Sequence, residues 1–128
     1  MIEPRHEMHA LPSGVELHGV HWDPPGGADP ELVPWLLVHG LASNARLWDG
    51  VARHLAELGH TVVAIDQRGH GGSSKPETGF DMATVADDLL ALIRALGFER
   101  PAVAGQSWGG NVVLTLAATL FASWAWGF

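Results

Sequence analysis

Val103-Ala104-Gly105-Gln106-Ser107-Trp108-Gly109-Gly110 is the stretch on which the rest of the chain is organised. A short apolar run, residues 102–104, predicts the end of a buried strand, and a helix-compatible segment follows from Asn111. A strand that turns at once into a helix holds its turn residue in a strained conformation. That turn needs minimal side chains two positions away on each side, which Gly105 and Gly109 supply. The serine hydroxyl is thereby pushed out at the amino end of a helix, where the dipole and free N–H groups favour a developing negative charge.

Outward from this turn, two more strands end in unusual residues. Trp35-Leu36-Leu37-Val38 is a continuous apolar run, the pattern of a strand covered on both faces, and it runs into His39-Gly40-Leu41. Thr61-Val62-Val63-Ala64-Ile65 is another, ending in the glycine-rich Asp66-Gln67-Arg68-Gly69-His70-Gly71-Gly72-Ser73-Ser74. Between them the spacing predicts a helix over residues 45–58, with Leu47, Val51, Leu55 and Leu58 as its apolar stripe, Ser43 or Asn44 as cap and Gly59 as stop. Residues 82–96 form the clearest helical pattern, with Met82, Val85, Leu89, Leu92, Ile93 and Leu96 inward, Asp87 and Asp88 outward, and Gly97 as the stop. Residues 6–22 alternate about a Leu11-Pro12-Ser13-Gly14 turn and predict an opening hairpin. Strands alternating with helices predict an α/β fold with a mostly parallel sheet flanked by helices.

The three strand-end motifs, in this order and spacing, resemble the α/β-hydrolase family over residues 6–118. His39-Gly40 is similar to its oxyanion loop, Asp66-x-Arg68-Gly69-x-Gly71-x-Ser73 to the loop after its fourth strand, and Gly105-Gln106-Ser107-Trp108-Gly109 to its nucleophile elbow. The resemblance implies that Ser107 is the nucleophile and that the backbone N–H groups of Leu41 and Trp108 form the oxyanion hole. His39, Gly40, Gly105 and Gly109 shape the supporting loops. The Leu41 and Trp108 side chains line an apolar acyl pocket, and Asp66 and Arg68 tie their loop down. A serine in the elbow, rather than an aspartate, implies acyl transfer on a carboxylic ester or related small acyl substrate, without a cofactor. A cofactor-free perhydrolase or carbon–carbon bond hydrolase uses the same serine, and a non-catalytic binding module is the reading from another class.

Composition bounds the partners. The 128 residues are 47% hydrophobic and 16% charged, with a formal net charge of −7, so no basic stripe is present to neutralise a nucleic acid. No cysteine is present to build a disulfide framework or a thiolate metal site. His6, His9, His18, His21, His54 and His60 are scattered without metal-ligand spacing, which predicts no metal. Residues 1–7 lack a signal-peptide core, giving a cytoplasmic expectation. Beyond Arg100 the chain carries no charged side chain, but Gln106, Ser107, Gly109, Gly110 and Asn111 argue against a membrane span.

The chain departs from the family in one respect that matters. After Ser107 it contains no Asp, Glu or His, so the acid and base that follow the nucleophile in the family are absent. A makeshift triad from Asp66 and His39 is imaginable, because both lie at strand ends. Residues 119–128 lose the polar end and stop signal expected of the last helix, which points to a reading-frame error near Ala118 in an amino-terminal portion of a longer domain. A sheet cut after the Ser107 strand leaves an open edge, predicting poor solubility and little activity.

Overall fold

The computed structural model describes residues 1–126, with side chains to residue 120. The opening hairpin forms as expected: β1 (Arg5–Ala10) pairs antiparallel with β2 (Glu16–Trp22). β3 (Trp35–Val38), β4 (Val62–Ile65) and β5 (Ala102–Gly105) run parallel to one another, and the sheet order is β1-β2-β4-β3-β5. The helices are α1 (Asp49–Glu57), α2 (Met82–Leu96) and α3 (Trp108–Trp126), with a 3-10 turn at Ala45–Trp48 leading into α1. The end of the atypical tail, residues 127–128, lies outside the described residues. Among the described residues no helix is long and apolar enough to cross a membrane.

Alternation along the parallel strands divides the core in two, because successive side chains leave a strand on opposite faces. Leu36, Val38, Val63 and Ile65 meet Val85, Leu89, Leu92, Val112 and Leu116 under α2 and α3. Leu37, Val62 and Ala64 meet Trp22, Ala45, Ala52 and Ala56 on the α1 side. Burial on both faces explains why these strands are continuous apolar runs. Each fully buried Leu or Val stabilises the fold by about 1.5–3 kcal/mol.

Two expectations are corrected. Leu47, Val51 and Leu58 are exposed, and α1 instead lays Ala52 and Ala56 on the sheet. The two stripes are offset on one helix, and the alanine face wins because it brings helix and sheet backbones close together. Asp88 does not face out: it is buried and paired with Arg68, at 2.7 Å from Nε to Oδ2. The expected ends of α2 do form. The Asp81 carboxylate accepts from the Thr84 N–H, and Gly97 closes the helix in the left-handed conformation.

β5 stands apart from its neighbours. It lies at the end of the sheet, and all four of its residues are only partly buried, whereas β4 is buried throughout. An open apolar groove of about 540 Å³ runs along it, between α2 and α3, lined by Leu90, Phe98, Val103, Val113, Leu116 and Leu120.

Candidate functional site

The parallel strands deliver their loops to one end of the sheet, and Ser107 stands there between β5 and α3. α3 starts at Trp108, three residues before the predicted Asn111, so the strand-to-helix turn is as tight as it can be. Ser107 is exposed and has φ +55, a left-handed conformation that costs a side-chain-bearing residue free energy. The surrounding glycines are required by close approach. A methyl group on Gly109 would collide with the Val38 and His39 carbonyl oxygens, and one on Gly105 would collide with the Gly109 backbone.

The loop after β3 packs directly on this turn. A methyl group on Gly40 would lie 2.8 Å from Gln106 Oε1 and 3.2 Å from the Ser107 Cβ. Gln106 holds the two loops together: its backbone N–H donates to the Val38 carbonyl at 3.0 Å, and its side-chain Oε1 accepts from the Gly40 N–H at 3.1 Å. Motif reading gave Gln106 no role. Ala42, one residue past Leu41, has φ +56, so the two non-glycine left-handed residues among those described lie at the same corner. Among the described residues, the Leu41 and Trp108 N–H groups donate to no atom of the chain.

No histidine is placed as a base for Ser107. His39 is fully buried with both ring nitrogens engaged. Nδ1 donates to the Gly40 carbonyl at 2.6 Å, and Nε2 accepts from the Gln67 N–H at 2.9 Å. Burial pushes its pKa down, only partly opposed by the Gly40 carbonyl, so the ring is neutral and structural. His70 is likewise committed: Nδ1 donates to the Arg68 carbonyl and Nε2 accepts from the Ala42 N–H. His60 binds the Val33 carbonyl, at the far end of β3, and His54 lies in the last turn of α1, which carries the chain back to that far end.

The makeshift triad of Asp66 and His39 does not form. Asp66 accepts from the Ala45 N–H at 2.8 Å, the Gly72 N–H at 2.9 Å and the His18 Nδ1 at 2.7 Å. Burial works against the carboxylate, but these donors outweigh it and hold the Asp66 pKa below the usual carboxylate range. With Arg68 locked to Asp88, both residues tie their loop down, as expected. His18 joins Asp66 from β2, a partner that only the pairing of β2 with β4 brings near. Three strand spacings separate β2 from β5, about 14 Å, too far for a proton transfer to Ser107.

The two side chains expected to line an acyl pocket lie differently in the described residues. Leu41 is 63% exposed, and the Trp108 indole packs partly against the core beneath α2 and α3.

A model of the alpha/beta hydrolase fold matches residues 33–120. The soluble epoxide hydrolase of Corynebacterium sp. (strain C12) is 43% identical over 84 residues, covering 66% of this chain and 29% of that protein. The non-heme chloroperoxidase of Streptomyces lividans is 35% identical over 105 residues, covering 82% of this chain and 36% of that protein. Among solved structures, an alpha/beta hydrolase from Novosphingobium aromaticivorans DSM 12444 superposes with a TM-score of 0.81 at 29% identity. The superposition covers 93% of this chain and 41% of that one. The chain spans about a third of the length of the curated relatives it matches. The matched region holds β3, β4, β5 and the loops that meet at Ser107, and the chain belongs to the alpha/beta hydrolase fold family.

Proposed function

We propose that this chain carries the nucleophile half of a serine hydrolase that transfers the acyl group of a small carboxylic ester to water, without a cofactor. The observation that carries the reading is the strained corner, where Ser107 and Ala42 adopt left-handed conformations across the Gly40–Gln106 contact. Strain of this kind persists where surrounding structure over-determines it, and it clusters at sites of chemistry. Ser107 Oγ attacks the acyl carbon, and its proton passes to a base. The tetrahedral oxyanion accepts from the Leu41 and Trp108 N–H groups, the alcohol leaves with the proton, and water then cleaves the acyl-enzyme.

The choice of an acyl carbon follows from the serine. Opening an epoxide with a hydroxyl leaves an ether on the enzyme, which water does not cleave, whereas attack on an ester leaves another ester. Because each ring near the corner is committed, the base and its acid are supplied from outside these 128 residues. The same proposal places the protein in the cytoplasm with small acyl compounds as partners, and treats residues from about 119 to 128 as atypical of the domain.

Imidazole added as an external base tests this. Hydrolysis of p-nitrophenyl acetate by the chain is expected to stay near background and to rise with imidazole more than for Ser107→Ala, measured at equal imidazole. An equal response of the two proteins removes Ser107 from the role. The chloroperoxidase relative favours one second reading, in which peroxide rather than water attacks the acyl-enzyme and releases a peracid. Halide oxidation that depends on both the ester and peroxide distinguishes it.

A further inference from the structure

The opening hairpin carries a feature that hydrolysis at Ser107 does not use. In the β1–β2 register, Arg5 faces His21, Glu7 faces Gly19 and His9 faces Leu17, so Glu7, His9 and His21 share one face of the sheet. Their side chains converge. His9 Nε2 lies 2.8 Å from His21 Nε2, His21 Nε2 lies 3.2 Å from Glu7 Oε2, and His9 Nε2 lies 3.9 Å from Glu7 Oε2. Linear spacing gave no reason to expect a metal, because the ligands come together only through the antiparallel pairing.

We propose that Glu7, His9 and His21 form a three-ligand site for Zn²⁺, clipping β1 to β2. Two imidazole nitrogens and one carboxylate oxygen are the donor set that suits this ion, with water completing a tetrahedron. Ligand bonds of about 2.1 Å in a tetrahedron put neighbouring ligand atoms about 3.4 Å apart. The three observed separations bracket that value, so small side-chain adjustments suffice.

A second observation points the same way. Gly19 sits beneath the cluster, and a methyl group there would lie 2.9 Å from His21 Nε2 and 3.2 Å from His9 Nε2. Glycine weakens a strand interior and marks a place where another group approaches closely, here the converging ring nitrogens. Burial also pushes the pKa of both rings down, that of His21 to about 4, so each is present at neutral pH as the neutral imidazole that ligates metals. The Arg5 guanidinium contacts Glu7 Oε2 at 2.9 Å, but it also holds Asp23 at 2.6 Å and keeps that partner when Glu7 turns to the ion.

Calorimetric titration of the chelator-stripped chain with Zn²⁺ at neutral pH tests the proposal. One ion per chain is expected, with affinity lowered about tenfold or more in His9→Gln and in Gly19→Ala, which keeps every ligand. His6→Gln, on the opposite face beside His18, leaves the affinity within about twofold. Co²⁺ in the unaltered chain supplies a readout free of any variant's folding, with intense tetrahedral visible bands expected. Absence of saturable Zn²⁺ binding, binding unaffected by both His9→Gln and Gly19→Ala, or only the weak bands of octahedral Co²⁺ overturns it.

Discussion

Two corners at the same end of the sheet hold complementary pieces of chemistry. At the end of β5, Ser107 stands on a strained turn beside Gly40, with the uncommitted N–H groups of Leu41 and Trp108 close by in the chain and no base within reach. At the end of β4, Asp66 and His18 form a hydrogen-bonded acid–imidazole pair at 2.7 Å, with His6 Nδ1 a further 2.9 Å from His18 Nε2. The hydroxyl beside them, buried Ser73, is committed to backbone, accepting from the His18 N–H and donating to the Asp66 carbonyl. The second corner is closed and tied down by backbone donors, and the first is open along the edge strand. The types of residue a triad needs are therefore all present, and the order of the strands keeps them apart. Composition counts side chains, whereas catalysis depends on which strands are neighbours.

The closed corner is expected to be the more sensitive to substitution. Asp88→Ala leaves the buried Arg68 guanidinium without its carboxylate and is expected to cost about 3–5 kcal/mol, read from the denaturant midpoint. A loss below about 1 kcal/mol breaks the claim that the loop after β4 is anchored through this pair. At the open corner, Gly109→Ala drives a methyl group into the Val38 and His39 carbonyl oxygens, at an expected cost of about 2–3 kcal/mol. The same measurement sharpens the contrast, because neutrality there means that the elbow can move away from β3.

Acid sensitivity gives the smallest effect. His39 is buried neutral in the fold, with its pKa pushed below the ordinary 6.5 that it regains on unfolding. Its contribution is therefore complete above pH 6.5 and is lost as pH falls below that value, until the folded ring also protonates. The expected slope is at most about 1.4 kcal/mol per pH unit for this one ring. In urea titrations with a chelator present, His39→Gln should remove that much of the slope between pH 6.5 and pH 5. An unchanged slope assigns the acid loss elsewhere.

Much of this architecture is legible in the residues themselves. Continuous apolar runs mark β3 and β4 because both faces of each are covered, and Gly97 marks the end of α2 because its φ of +72 suits glycine. The elbow is legible because Gly105 and Gly109 leave no alternative at those contacts. Other features depend on pairings between distant segments. Periodicity cannot choose between the leucine and alanine stripes of α1, since each is helical, and only the depth of the sheet contact decides. Asp88 reads as a surface residue until Arg68 is placed against it. The convergence of Glu7, His9 and His21 has no linear signature, because it depends on hairpin register. Gln106 is hidden for the same reason, its bond to Gly40 being a contact between loops.

The central claim is that Ser107 is poised by its turn and lacks a base within these 128 residues. Its labelling by an activated phosphonate, followed as a function of pH in the folded chain and in urea, measures this directly. The account predicts that labelling of folded Ser107, whatever the oxyanion donors add to its rate, shows no inflection in the histidine range that the chain in urea lacks. Rapid labelling that switches on near the pKa of an imidazole contradicts it, and places a working base among the residues now assigned to structure.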